Sequence, residues 1–424
     1  MIFNDVSGLW THMEENEVRG LFISAVSSLR RRYTKYLKEE ATDIWRDKIS
    51  ELSKAESSNF LQGSMKMLTS LKGMSIDSQL FDSDHYLVGL KNGMCLDLRQ
   101  VEVRPITKSD YLSKCADVEF LPDASCELWE KSVLEWCCGD KELYKFLQVW
   151  CGYCLSGLTE VQGFLFLYGS GRNGKSVFLS VLSDLLDGYH QNMDSSSIIL
   201  KASNNGPRSD IVRLNGARFV TSVEVPQGYR IDENFIKQLT GGDLVTARGL
   251  YQSEFNFQPV LKLMISGNHK PVVTGTDFGF WRRVKVVPFN ADIQRPDQQL
   301  TQKLLLEASG ILNWMIEGWK IYQSEGLKVP ECVRRESDNY KSDMDLLLQW
   351  KEDCISDSAK GRMGLTLTYK CYEFWAKNFG YRALNLNQFK REVSRFFGDP
   401  KRDAKGNFYS GYSINEEYVR LIDL

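Results

Sequence analysis

The stretch Gly163–Asp187, GFLFLYGSGRNGKSVFLSVLSDLLD, restricts the possible folds more than any other part of the chain. Gly163–Tyr168 is a short apolar, aromatic-rich run, which predicts a strand buried on both faces. Gly169–Ser176 reads GSGRNGKS, with glycine at its first and sixth positions and then Lys175 and Ser176. That spacing is the phosphate-loop pattern. Val177, Leu179, Val181, Leu182, Leu185 and Leu186 follow at helical spacing, and Gly188 marks a stop. Glycines remove the Cβ that would block a phosphate and tolerate φ > 0. The helix N-terminus behind them adds unpaired donors and partial positive charge. In this pattern Gly169, Ser170, Gly171, Arg172, Asn173 and Gly174 cradle phosphate, Lys175 supplies a mobile cation, and the Ser176 hydroxyl holds Mg²⁺. ATP and Mg²⁺ are therefore the expected ligands. The competing reading is a glycine-rich turn that only links strand to helix.

Nucleotide hydrolysis also needs a carboxylate beside the γ-phosphate, to hold Mg²⁺ through water or to orient the attacking water. Ala217–Val225 (ARFVTSVEV) predicts a second buried strand that delivers Glu224. Val260–Ser266 predicts a third, with Asn268 just beyond its tip, where an amide can bond a phosphate or simply cap a turn. His269 has no visible partner residues and is given no role as a base. Leu244–Leu250 and Glu254–Gln258 alternate like two hairpin strands, with Arg248, Tyr251 and Gln252 in the middle. In isolation that is a surface hairpin with one exposed arginine. Arg282 and Arg283 precede a fourth strand within DFGFWRRVKVVPFN. Paired arginines are usually surface charge, but one beside a transferring phosphoryl group is worth roughly 10³–10⁵ in rate.

The remaining sequence sets the surroundings. The 424 residues suffice for two or three domains, and a net charge of -2 confines any polyanion site to a local patch. No export signal or bilayer-spanning run is visible, so a cytoplasmic location in a bacterial or archaeal host is expected, with the ten cysteines reduced. Cys151 and Cys154 form a CxxC, preceded by Cys137 and Cys138, among Trp136, Trp150 and Leu155, which points to a buried core rather than zinc. Residues 1 to about 75 read as helical, with Arg30, Arg31, Arg32 and Lys35 as a solvated basic face. Tyr86–Leu90, Met94–Leu98 and Val101–Arg104 read as short strands with a turn at Lys91–Gly93, and helix returns over Ser125–Leu155. Near the end, Thr366–Phe379 and Leu386–Phe397 predict two amphipathic helices, followed by the strand Phe408–Ile414. Two helices and a glycine-tipped hairpin resemble a winged helix. Residues 361–424 hold eleven Lys or Arg against seven Asp or Glu. This suits duplex contact through Lys390, Arg391 and Arg395 on the second helix and Lys401, Arg402 and Lys405 in the wing. A protein-binding module with a solvated basic face is the alternative.

Taken together, GSGRNGKS, VTSVEV, LTGGDLVTARGLY, KLMISGNHKP and GTDFGFWRRVKVVPF resemble the superfamily 3 helicases. The similarity is to the phage and plasmid primase-helicase branch that includes the poxvirus primase-helicase, over about Ser125 to Tyr340. The resemblance implies an α/β, AAA+-type P-loop core that assembles as a homo-hexameric ring around DNA, with ATP between subunits and 3′→5′ translocation. It assigns phosphate and Mg²⁺ contacts to Lys175 and Ser176, the acidic motif to Glu224, and the sensor to Asn268. It further assigns a trans-acting arginine to Arg282 or Arg283, and DNA grip to the hairpin around Thr246–Arg248. Val225 stands where many members have a second acid, so Asp210, Asp232 or Glu233 can share the metal role. Residues 1–120 show no carboxylate set for nucleotidyl transfer, and no primase activity is expected. The expected domains are 1–135, a mainly helical accessory region with a small β part; 136–330, the helicase core; and 331–424, a linker helix and winged-helix-like domain. The expected function is an ATP-dependent helicase replicating a phage, plasmid or other mobile element. Its partners would be single-stranded and forked DNA, an origin and a primase or polymerase, with no membrane. The alternatives are an origin-binding assembly ATPase and a P-loop kinase for a small substrate.

Overall fold

The apolar run after Gln162 forms strand β1 (Phe164–Tyr168), with every residue but Tyr168 buried. Helix α1 (Lys175–Leu185) starts directly after the glycine loop and turns Phe178, Leu179, Val181, Leu182 and Leu185 inward. These positions come from a computed structural model, which describes all residues except 41–42, 69–75, 201–208, 224–227, 250–252, 274–276, 380, 382, 405 and 423–424.

Six further strands complete the central region: β2 (His190–Asn192), β3 (Phe219–Val223), β4 (Val245–Arg248), β5 (Glu254–Phe257), β6 (Lys262–Gly267) and β7 (Val284–Pro288). Four of them join β1 in one parallel sheet in the order β7-β1-β6-β3-β2. Parallel pairing forces the connections over the sheet faces, which explains why β1, β6 and β7 are almost wholly apolar and buried. Alternate residues of β1 feed two cores. Leu165 and Leu167 join a cluster with Phe178, Trp129, Trp150 and Trp319, while Phe164 and Phe166 join one with Ile236, Leu239, Ile265 and Trp281. From β1 the chain runs to the β2 edge, whereas from β6 it returns past β1 to β7. The connections therefore diverge at the crevice between β1 and β6, where open α/β sheets bind ligands.

The first core also takes in Val88, Leu90, Leu96 and Leu98 from a three-stranded antiparallel sheet (Leu87–Leu90, Met94–Asp97, Glu102–Pro105), so the segments on either side of residue 135 share it. Asn92 and Gly93 turn the first hairpin with φ of 66° and 69°, as the run Lys91–Gly93 predicts. Upstream lie the expected helices, Glu15–Glu39, Asp43–Ala55 and Ser58–Leu68. Cys151 and Cys154 are buried in helix Lys141–Leu155, and burial pushes the Cys154 thiol up to about 12. Among the described residues, no cluster of His, Cys, Asp or Glu has a metal-binding arrangement, and no helix is long and apolar enough to cross a membrane.

Residues 346–422 have their own core around Trp350, Trp375 and Phe389. Helices Leu365–Asn378 and Leu386–Phe397 stand one residue or less from the expected ranges. A three-stranded antiparallel sheet accompanies them (Ile355–Gly364, Gly406–Ile414, Lys401–Asp403), and its first strand is an addition to the sequence reading. ISDSAKGRMG carries large apolar side chains only near its ends, so it shows no alternation.

Candidate nucleotide-binding site

The loop after β1 is shaped by backbone conformations that its glycines permit. Gly171 and Gly174 have φ of 110° and 87°, and Arg172 between them takes 50°. At Gly174 a Cβ would strike the Trp136 indole, so the position needs glycine twice over. At Gly171 no atom lies within 4 Å of a built Cβ, so conformation alone selects it. Lys175 opens α1 and is only 5% exposed. Its ammonium donates to Gly169 O at 2.8 Å, Asn173 Oδ1 at 3.0 Å and Asn268 Oδ1 at 3.3 Å. All three acceptors are neutral, and no carboxylate pairs with Lys175 among the described residues. Burial accordingly lowers its pKa. Asn173 spans the site, since its Nδ2 donates to Phe289 O at 2.8 Å beyond β7.

These groups face a cavity of about 280 Å³. One wall is polar and includes Gly171–Ser176, Ser266 and Asn268; the other is apolar, with Trp136, Val177, Ile293, Pro296 and Leu300. Ile293 N donates to Arg172 O at 3.0 Å, which ties the second wall to the loop. The cavity lies at the carboxyl ends of β1 and β6, in the crevice where the connections diverge. The loop backbone, a helix N-terminus, an ammonium bonded to neutral acceptors and the exposed Ser176 match a phosphate ester on one side, and the apolar wall suits a planar base on the other.

The predicted loop residues and Asn268 thus come together around one cavity. Glu224 lies outside the described residues, although its neighbour Val223 lines the cavity. The acid among the described lining residues is Asp297, which accepts from Lys303 Nζ at 2.5 Å and Gln299 N at 2.9 Å. Asp232 caps helix α2 (Glu233–Gly241) through Phe235 N at 3.0 Å, and it does not line the cavity; neither do Asp210 and Glu233. Sequence reasoning named Asn173 only as part of the loop and missed its bridge to Phe289. Trp136 and Ile293 were missed as lining because their distance in sequence carries no signal.

Arg282 and Arg283 stand at the opposite edge of the sheet, before β7. Five strand residues separate that edge from the glycine loop, roughly 16 Å of chain. Arg282 is exposed, whereas Arg283 is 8% exposed and donates to Gly279 O. Arg283 Nε is buried with no hydrogen-bond partner. Burial beside both arginines brings the Lys285 ammonium down to about 8.

β4 and β5 form the expected hairpin, with Arg248 opposite Glu254 and Thr246 opposite Asn256. Thr246 and Arg248 project from the exposed face, and Thr246 Oγ1 donates to Asn256 Oδ1 at 2.7 Å. Tyr251 and Gln252 lie outside the described residues. On helix Leu386–Phe397, Lys390 and Arg391 are exposed, while Arg395 donates to Asp345 Oδ1 at 2.6 Å. Arg395 therefore fastens this helix to the N-cap of Leu346–Cys354. Lys401 and Arg402 are exposed, and Lys405 lies outside the described residues.

Comparison with known proteins adds a second line. Residues 2–138 match the family described as D5 N terminal like, and residues 167–283 match a family of unknown function, DUF5906. An inferred helicase of Acanthamoeba polyphaga mimivirus is 25% identical over 74% of this chain and 35% of its own length. An inferred primase of African swine fever virus, C962R, is 21% identical over 87% of this chain and 40% of its own. The chain thus spans well under half the length of these relatives. A solved structure of the NrS-1 C-terminal region has a TM-score of 0.48 at 13% identity, covering 71% of this chain and 80% of that one. With its motifs in order along the sheet, the chain is similar to these viral helicases and primases.

Proposed function

We propose that the chain is the ATP-driven motor of a DNA helicase that replicates a virus, phage, plasmid or similar mobile element. The observation that carries this reading is the buried Lys175, bonded to the neutral acceptors of Gly169, Asn173 and Asn268 at the carboxyl edge of a parallel sheet. An AAA+-type P-loop core accounts for that edge. Backbone donors of Gly169–Gly174 and the Lys175 ammonium would hold the phosphates, and Ser176 with Glu224 would hold Mg²⁺, which screens the phosphate charge. Glu224 would direct water at the γ-phosphate, and Asn268 would sense that group.

The arginines support assembly as a ring. Arg282 sits a full strand length from its own loop and is exposed, a placement that suits service to a neighbouring copy's cavity. Arg283, buried on Gly279 O, would support it. The exposed Thr246 and Arg248 of the β4–β5 hairpin would grip the DNA backbone. Residues 346–422, winged-helix-like in element order, would contact duplex through Lys390, Arg391, Lys401 and Arg402.

The test is ATP hydrolysis by the full chain with and without single-stranded DNA. Stimulation that vanishes in Lys175→Ala supports the motor, whereas hydrolysis indifferent to DNA favours a small-substrate kinase.

A further inference from the structure

We infer that Gln162 is a positioning residue that couples each subunit's own phosphate loop to the arginine it offers its neighbour. Gln162 immediately precedes Gly163 and β1, whose far end is the glycine loop. Its backbone takes φ 48°, a left-handed value uncommon outside glycine, and its N–H closes a turn onto Thr159 O at 3.1 Å. That conformation aims the side chain at the residues before β7. Gln162 Oε1 accepts from Arg282 Nη2 at 2.6 Å and from Arg283 Nη2 at 3.4 Å, so one carbonyl holds both guanidiniums. The main chain repeats the link, because Phe164 N donates to Arg283 O at 3.0 Å. Gly163 permits the approach, since a Cβ there would lie 2.7 Å from Lys285 Nζ.

Three cations crowd this corner: Arg282, Arg283 and Lys285. Arg282, Asp243 and Asp277 act on Arg283, and Asp277 is itself bonded to Lys237 Nζ at 2.6 Å. Without an acceptor on both arginines, repulsion would let Arg282 swing away. With it, a shift of β1 caused by phosphate in one cavity reaches the guanidinium that serves the next. The inference rests on the trans-acting role proposed above for Arg282.

The experiment uses the full chain as assembled with nucleotide and DNA. Gln162→Met keeps the shape and removes the acceptor; Gln162→Glu keeps the acceptor. Gln162→Met should lower kcat about 10- to 100-fold, the loss expected from a misplaced group, with nucleotide Kd within about twofold of wild type. Gln162→Glu should stay within about threefold. Mixed with Lys175→Ala copies, Gln162→Met should regain hydrolysis, because its cavity is intact and its neighbours' arginines are held. An unchanged kcat in Gln162→Met, or no regain on mixing, overturns the inference. If Arg282→Ala also leaves kcat unchanged, the trans reading itself has failed; if Arg282→Ala lowers kcat and Gln162→Met does not, only the role of Gln162 has.

Discussion

Replacing Lys175 by methionine separates a ligand-binding lysine from a structural one. The ammonium is buried, and its three acceptors, at 2.8, 3.0 and 3.3 Å, carry no charge. Against a phosphate at ion-pair distance, about 4 Å, one unit charge is worth about 4 kcal/mol at an effective dielectric near 20. The cavity opens to solvent, so a range of about 2–4 kcal/mol is appropriate, or about 30- to 1,000-fold in nucleotide affinity. The unliganded fold should respond much less. Methionine removes the desolvation that lowers the lysine pKa, and this offsets the loss of a donor to Gly169, Asn173 and Asn268. Unfolding without nucleotide should then shift by less than about 2 kcal/mol. Titration with nucleotide and denaturant unfolding of the same sample measure both quantities. Affinity within about threefold of wild type, or a stability loss above about 4 kcal/mol, would refute the reasoning and make Lys175 a strut.

Three further outcomes follow. Arg248→Ala should retain basal hydrolysis but lose stimulation by single-stranded DNA, and full stimulation would remove the hairpin from DNA contact. Arg282→Ala should cut kcat about 10³-fold with an unchanged denaturation midpoint, whereas Arg283→Ala should lower stability by about 1–3 kcal/mol; equal, mild effects in both would end the trans-acting assignment. Lys262, buried against the carbonyls of Ser156, Leu158 and Val260, is brought by burial down to about 7 from 10.5. Between those values the unfolded chain keeps a proton that the folded chain has released. Stability from this site therefore rises with pH across that window, and the burial cost is complete below it. Wild-type unfolding free energy relative to Lys262→Met should climb from about pH 7 to about pH 10, and a flat difference would contradict the assignment.

The legible parts of the sequence were those where a local pattern and tertiary need agree. β1, β6 and β7 are mostly apolar runs because both sheet faces are covered, and the GSGRNGKS spacing fixes a loop with few alternatives. β2 was hidden, since its three residues His190–Asn192 are polar and too few to show alternation. It forms because β3 has a free edge, and His190 Nε2 meets Thr221 Oγ1 at 2.9 Å. The strand Ile355–Gly364 was hidden for the same reason, as its order comes from pairing with Gly406–Ile414. Asn268 and the loop were foreseen as a site, but Asn173, Trp136 and Gln162 act through partners far away in sequence: Phe289, Gly174 and Arg282. Arg395 shows a partner that the sequence could not reveal. Its basic character suggests nucleic acid, while its guanidinium is held by Asp345.

The most direct measurement is strand displacement from a forked DNA duplex by the full chain with ATP and Mg²⁺, followed alongside particle size. The account predicts ATP-dependent displacement by a multi-subunit particle, abolished in Lys175→Ala. ATP hydrolysis by a species that stays monomeric and leaves the fork intact would contradict it.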